Sequence, residues 1–186
     1  MPAGAVVAAP ADEQLMLLYA RGDLAAFETL YRRHKDALFG YLLRASADRE
    51  IAAELFQDVW AKLIRARDAY QPSGRFASWL YSLAHNRLMD HFRLKRVPTD
   101  SLDAESHLSA PSHQQPERQA DAQFAAQRIL RALSLLPEEQ RTAFLLKEEA
   151  GLSLEEIADV MKVGRETVKS RLRYALAKLR LELADV

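Results

Sequence analysis

Residues 153–180 read SLEEIADVMKVGRETVKSRLRYALAKLR, acidic at the start and basic at the end. Ser153 followed three residues later by Glu156 is a capping box, in which hydroxyl and carboxylate satisfy the free amide groups at a helix start. The helix it opens, over about 153–161, places Leu154, Ile157, Ala158 and Met161 on one face. The residues KVG at 162–164 break the pattern, and a second helix then aligns Val168, Leu172, Leu176 and Leu179. Two short amphipathic helices joined by a tight turn must share one core, which is the pattern of a helix-turn-helix. Ala158 is small where the helices would cross, and Val163 can plug their junction.

The second helix has a face left over. Arg165, Lys169 and Arg173 are four residues apart and share one side, with Glu166, Thr167 and Ser170 near its N-terminal end and Arg171 close by. In a helix-turn-helix, N-terminal side chains of the second helix reach base edges in the major groove while neighbouring Lys, Arg, Ser and Thr hold phosphates. From Lys162 to Arg180, seven cations oppose the single acid Glu166, a local net charge of +6. Charge alone would also suit a solvated helix face. Capping box, turn and one-sided charge together favour DNA.

Working outward, the whole chain of 186 residues carries 26 Lys+Arg and 26 Asp+Glu, so total charge hides the local patches. A second basic region runs from Arg65 to Arg96, where seven cations face Asp68 and Asp90 for a local +5. Between the patches, residues 97–123 hold five acids against Arg118 (local −4), with Pro, Ser, His and Gln and no aromatic until the segment ends, the composition of a flexible linker. Before it, apolar residues recur at helical spacing over 24–43, 51–64 and 76–92; after it, a helix stops at Pro137, which starts the next one, and Gly151 closes that. Nothing alternates as a strand does. The fold class expected is all-α, with two small helical domains joined by a flexible linker, the C-terminal one containing the helix-turn-helix. The boundaries are 1–22 for an N-terminal extension and leading helix, 23–96 for the first domain, 97–123 for the acidic linker and 124–183 for the second. The first dozen residues are expected to lack fixed structure.

Several chemistries have no residues to carry them. The chain has no cysteine, which removes disulfides and thiolate metal sites and fits a reducing cytoplasm. No apolar run could cross a bilayer, so no membrane insertion is expected, and the short apolar N-terminal stretch lacks a preceding basic flank. His85 and His91 are six apart, poor spacing for two ligands on one helical face, and read as surface or core histidines; no metal or other cofactor is expected. There is no nucleophile elbow, phosphate-binding glycine loop or zinc-protease motif, so no catalytic residue is assigned and the chain is not read as an enzyme.

Along 76–93, Leu80, Leu83, Ala84 and Leu88 form a core stripe, while Trp79, Asn86, Asp90 and Arg93 form a second face. With Phe76, Arg75 and Arg87 nearby, that face has the aromatic and cationic make-up that holds unpaired bases. Aromatics at helical spacing also suit a core, and both readings stand at this point.

AAELFQDVWAKL (52–63), GRFASWLYSLAHNRLMDHFR (74–93), a polar linker, LPEEQRTAFLLKEEAGLSLEEIADVM (136–161) and RETVKSRLRYALAKLR (165–180) follow one another in order. The whole resembles a bacterial RNA polymerase sigma factor of the extracytoplasmic-function group of the sigma-70 family, from about Asp23 to Arg180. The resemblance implies a subunit that binds core RNA polymerase and selects promoters, with the first domain at the melted −10 element and the second at the −35 duplex. It assigns Phe76, Trp79, Asn86, Asp90 and Arg93 to the −10 strand, with the loop QPSGR (71–75) as a pocket wall, and the neighbouring cations Arg75 and Arg87 are added to that set from their position beside the face. Arg165, Glu166, Thr167, Lys169, Ser170, Arg171 and Arg173 go to the −35 element. Glu54, Gln57 and Asp58 share a helix face that would meet the clamp coiled coil of the polymerase β′ subunit; Trp60 is added to that set, although the adjacent stripes Leu55/Val59/Leu63 and Phe56/Trp60/Ile64 also suit burial between helices. The implied partners are core polymerase through the β′ clamp and the β flap, promoter DNA, and an anti-sigma inhibitor of the sort common in the family. Asp90 and Arg93 are also spaced for an ion pair. Lys162 stands where many such turns have glycine, and the residues before Thr167 depart from the family pattern. Polymerase binding is expected to open the two domains, and the free chain to bind promoter DNA poorly. The rival readings are a helix-turn-helix regulator acting on duplex DNA without polymerase, and an enzyme with a DNA-binding appendix.

Overall fold

The computed structural model describes residues 9–96 and 127–184, helical throughout apart from turns and short loops. The linker assigned to 97–123 and the first eight residues lie outside the described residues. The first group comprises α1 (Asp12–Ala20), α2 (Leu24–Ser46), α3 (Arg49–Ala66), a 3-10 turn (Arg67–Ala69) and α4 (Phe76–Arg96). The second comprises α5, whose described part is 127–134, then α6 (Glu138–Glu148), α7 (Leu154–Met161) and α8 (Arg165–Ala184).

Local chemistry sets most of these boundaries. Asp23 caps α2 by accepting from the amides of Ala25 (2.9 Å) and Ala26 (3.2 Å), and Asp48 caps α3 through Glu50 (2.8 Å) and Ile51 (3.1 Å). Between them, Ala47 takes a left-handed φ of 57° and turns the chain back. The cap of α4 comes from far away in sequence: the Phe76 amide donates to the Glu13 carboxylate of α1 at 2.6 Å. That bond, with Asp12 holding Arg33 (2.6 Å) and His34 (2.7 Å) of α2, fastens α1 to the bundle, and Leu15, Met16 and Tyr19 are buried there. The segment read as a leading helix is thus a working wall of the first core.

Leu38, Tyr41, Leu42, Leu55, Val59, Leu63, Leu80 and Leu88 are buried at the centre of the first group, and Ile157, Val160, Val168, Ala175 and Leu179 in the second. On α8 the buried stripe steps 168, 175, 179 with Leu172 half-buried; Leu176, expected inside, is exposed because the three-then-four spacing of a straight helix puts Ala175 at that level. The apolar core continues from one group to the other. α7 packs along α4, and α6 against α2.

Candidate nucleic-acid and polymerase interfaces

The helix-turn-helix forms as its sequence dictates. Ser153 Oγ accepts from the Glu156 amide at 3.2 Å while the Ser153 amide donates to Glu156 Oε2 at 2.8 Å, closing the capping box. α7 ends on Lys162 with φ 54°, the left-handed conformation glycine usually supplies, and the Val163 amide donates back to the Ala158 carbonyl at 3.1 Å. Lysine at this position therefore keeps the turn at some backbone cost rather than altering its path.

On α8, Arg165, Glu166, Thr167, Lys169 and Arg173 are exposed, Ser170 half-buried. Arg165 is steadied by Glu155 of α7 (2.7 Å), and Lys169 pairs with Glu166 one turn back (2.7 Å). The Lys169 hydrogen bond holds the Glu166 carboxyl below its ordinary value, so it stays an acceptor. Arg173 lies over the Tyr174 ring (5.0 Å). Arg171 is set apart: it reaches Glu139 of α6 at 2.5 Å with its side chain only 17% exposed, which ties α8 to its own domain instead of presenting a charge outward.

On the first group, Glu54 and Gln57 are exposed and Asp58 half-buried along one side of α3. Arg87, assigned from sequence to the −10 strand, crosses from α4 to Asp58 (2.7 Å) and lies 3.7 Å from Glu54. It joins the acidic face rather than standing beside Trp79. Trp60 is 5% exposed and enclosed by Phe27 (5.8 Å between centroids), Tyr31 (4.9 Å) and Phe56 (6.2 Å), so it offers no surface to a partner. Phe56 and Trp60 of the second apolar stripe of α3 pack against aromatics of α2, while Ile64 at its end is exposed. Next to this packing, Tyr31, Lys35, Asp36, Phe39, Phe56 and Gln57 line a shallow surface hollow that the sequence reading missed. Its signal was present in the spacing of Tyr31, Lys35 and Phe39, which repeat every four residues beside the buried stripe of Leu30, Leu38 and Tyr41.

On α4, Phe76 is fully buried against Tyr70 and Trp79, and in this arrangement it gives no face to a base. Trp79 is half-buried, leaning on Tyr70 (4.9 Å). Asn86 is half-buried, and Asp90 and Arg93 are exposed and form an i,i+3 pair at 3.3 Å. The loop 71–75 is exposed, with Arg75 donating to the Gly151 carbonyl (3.2 Å) and Glu156 (3.3 Å) of the second group. His85 is a core histidine, 5% exposed and 3.5 Å from the Tyr41 hydroxyl; burial, then the charges of Arg171 and Lys162, push its pKa down to about 4. His91 is half-buried.

A capped helix-turn-helix with an exposed polar and basic second helix, joined in one chain to a bundle that shows an acidic helix face and a polar aromatic one, defines a DNA-binding transcription protein. Comparison with known proteins agrees. Residues 30–97 match the family model for sigma-70 region 2, and residues 126–179 that for sigma-70 region 4. The RNA polymerase sigma-H factor of Pseudomonas aeruginosa is 31% identical over 87% of this chain and 88% of its own. The ECF sigma factor SigM of Mycobacterium tuberculosis is 32% identical over 90% and 82%. Among solved structures, CnrH in complex with the cytosolic domain of CnrY aligns over 95% of this chain and all of that one, with TM-score 0.71 and 25% identity. The sigma factor RpoE of Bartonella quintana, solved with the anti-sigma factor NepR, shares the fold at TM-score 0.72 and 23% identity, covering 86% and 97%. The chain belongs to the sigma-70 family, within its extracytoplasmic-function group. It binds core RNA polymerase and directs promoter-specific transcription initiation; the reading as a regulator acting without polymerase is not favoured.

Proposed function

We propose that α8 reads the −35 duplex through Arg165, Glu166, Thr167, Lys169, Ser170 and Arg173, with Arg171 acting as an internal tie. A carboxylate among these cations suits a base-edge acceptor contact, since it would only repel a phosphate. At the −10 element, Trp79, Asn86, Asp90 and Arg93 receive unstacked bases, with loop 71–75 as the pocket wall; Phe76 backs Trp79 from the core. Extruding a base costs a few kcal/mol, which stacking and polar capture offset, so strand opening is driven by binding without hydrolysis. Glu54, Gln57 and Asp58, with Arg87 bracing them, face the β′ clamp coiled coil, and the second domain meets the β flap. The chain catalyses no reaction itself and works in the cytoplasm, where its polymerase is. An anti-sigma protein is the proposed inhibitor, in keeping with the partner of the Bartonella quintana relative.

The observation that carries this reading is the pairing, in one chain, of the exposed Arg165/Lys169/Arg173 face on a capped helix-turn-helix with the exposed acidic face of α3. Run-off transcription with purified core polymerase on a library of promoter fragments tests it. Selective transcripts that depend on the chain are expected; equal initiation with and without it would overturn the reading.

A further inference from the structure

The residue before α4 cannot cap it. Arg75 is a cation with no side-chain acceptor to offer the free amides of a helix start. The Phe76 amide donates instead to Glu13, a half-buried residue in the first turn of α1, at 2.6 Å. A carboxylate at this place accepts a charge-assisted hydrogen bond and meets the positive end of the α4 dipole. It steadies the turn Phe76–Trp79, whose first helical bond runs from the Trp79 amide to the Arg75 carbonyl at 3.3 Å.

α1 also holds the other end of the loop that leads into α4. Arg67 of the 3-10 turn lies over the Tyr19 ring of α1, 5.5 Å from its centroid. Tyr70, which follows that turn, is buried against Phe76 and Trp79. The loop 71–75 is thus suspended between two anchor points on one short helix. That helix is itself pinned where Glu13 leaves it: Arg33 of α2 donates to the Pro10 carbonyl (2.9 Å) and to Asp12 (2.6 Å), and His34 meets Asp12 at 2.7 Å. α1 lies before residues 30–97, which match the region 2 model, so this support reaches the region from outside it.

We propose that Glu13 is a positioning residue for −10 recognition: by capping α4 from α1 it fixes the turn that carries Trp79 and the loop 71–75 in the arrangement that receives an unstacked base. Groups held in place before the ligand arrives need not be ordered by it, and loss of the cap lets the first turn of α4 fray. The DNA complex must then re-form that turn. Glu13 itself touches no base, and its role rests on the −10 assignment above.

The test uses the full chain assembled with saturating core polymerase. Fluorescence anisotropy follows a single-stranded −10 oligonucleotide, and a −35 duplex fragment is measured alongside. Glu13→Met keeps the length and helix propensity of the side chain but removes its acceptor. It should weaken oligonucleotide binding by roughly fivefold, the size of effect that one helix cap carries, and leave the −35 fragment unaffected. Glu13→Gln keeps an oxygen acceptor and should recover most of that loss. Asp48→Ala removes the cap of α3 in the same domain; it should lower the urea midpoint about as much as Glu13→Met does and bind the oligonucleotide as the parent does. Hydrogen exchange at the Phe76 amide reads the cap directly, slow in the parent and faster in Glu13→Met. Fast exchange in the parent overturns the cap. Parent-like oligonucleotide binding by Glu13→Met, or equal losses in Glu13→Met and Asp48→Ala, overturns the positioning role. Trp79→Ala, run in parallel, reports on the −10 assignment: parent-like binding there overturns the assignment and the role with it, whereas a loss there and none in Glu13→Met overturns the role alone.

Discussion

Phe76 and Trp79 stand three residues apart on α4, and the sequence places both at the melted strand, yet the structure gives them different tasks. Phe76 is fully buried, so Phe76→Ala removes a core ring and leaves a cavity, at about 3–5 kcal/mol. That is a large part of the roughly 5–15 kcal/mol that holds a typical domain together, and the first domain should unfold or nearly so. Phe76→Leu conserves most of the apolar volume and should cost about 1–1.5 kcal/mol. Trp79 is half-buried and keeps part of its ring at the surface, so Trp79→Ala should cost less stability than Phe76→Ala and also lose base stacking of about 1–3 kcal/mol, or roughly 5- to 150-fold in affinity. The assay pairs urea denaturation with fluorescence anisotropy on a single-stranded −10 oligonucleotide in the presence of core polymerase. Phe76→Leu should bind as the parent does, Trp79→Ala much more weakly. If Phe76→Leu remained folded and bound tenfold more weakly, the division of labour between core ring and surface ring would be refuted.

At the −35 duplex, Lys169→Ala should lower the slope of log affinity against log salt by about 1, whereas Arg171→Ala, whose cation is spent on Glu139, should leave the slope unchanged; equal slopes for both would remove Lys169 from the phosphate contacts. His85 titrates near 4 when folded against 6.5 unfolded, so the unfolded chain binds the extra proton, and stability present above pH 6.5 is lost as pH falls toward 4, by about 2 kcal/mol at pH 5. Denaturation at pH 7 and pH 5 should show that loss in the parent and much less of it in His85→Gln. Lys162→Gly should relieve the left-handed strain at the turn and raise stability by about 1 kcal/mol, read as a higher denaturation midpoint, since α7 and α8 otherwise keep their path. Ser153→Ala should cost about 1 kcal/mol by opening the capping box, and a neutral result would mean that solvent replaces both bonds.

Residues whose role depends on nearest neighbours in sequence could be read directly. The Ser153 and Glu156 box, the break at 162–164 and the four-residue repeat of Arg165, Lys169 and Arg173 are properties of one turn of helix, and the structure shows each in place. The same holds for the acidic face of Glu54, Gln57 and Asp58. Phe76, Trp60, Arg87 and Arg171 were harder, because an aromatic or a cation at helical spacing has the same sequence signature whether it meets solvent, DNA or a neighbouring helix. Burial, Asp58 and Glu139 settle where these four point, and none of those facts is local.

Helix periodicity, caps and breaks therefore determined an all-helical chain with a helix-turn-helix near its end, since these signals act within four residues and survive without tertiary contacts. Only the packed structure decided that Glu13 caps α4 from sixty-three residues away, that Trp60 lies under an aromatic cover, and that Gly40 makes space for an arginine bound to the other domain. Those outcomes depend on which helix faces meet in space, and the pattern of one helix carries no record of its neighbour.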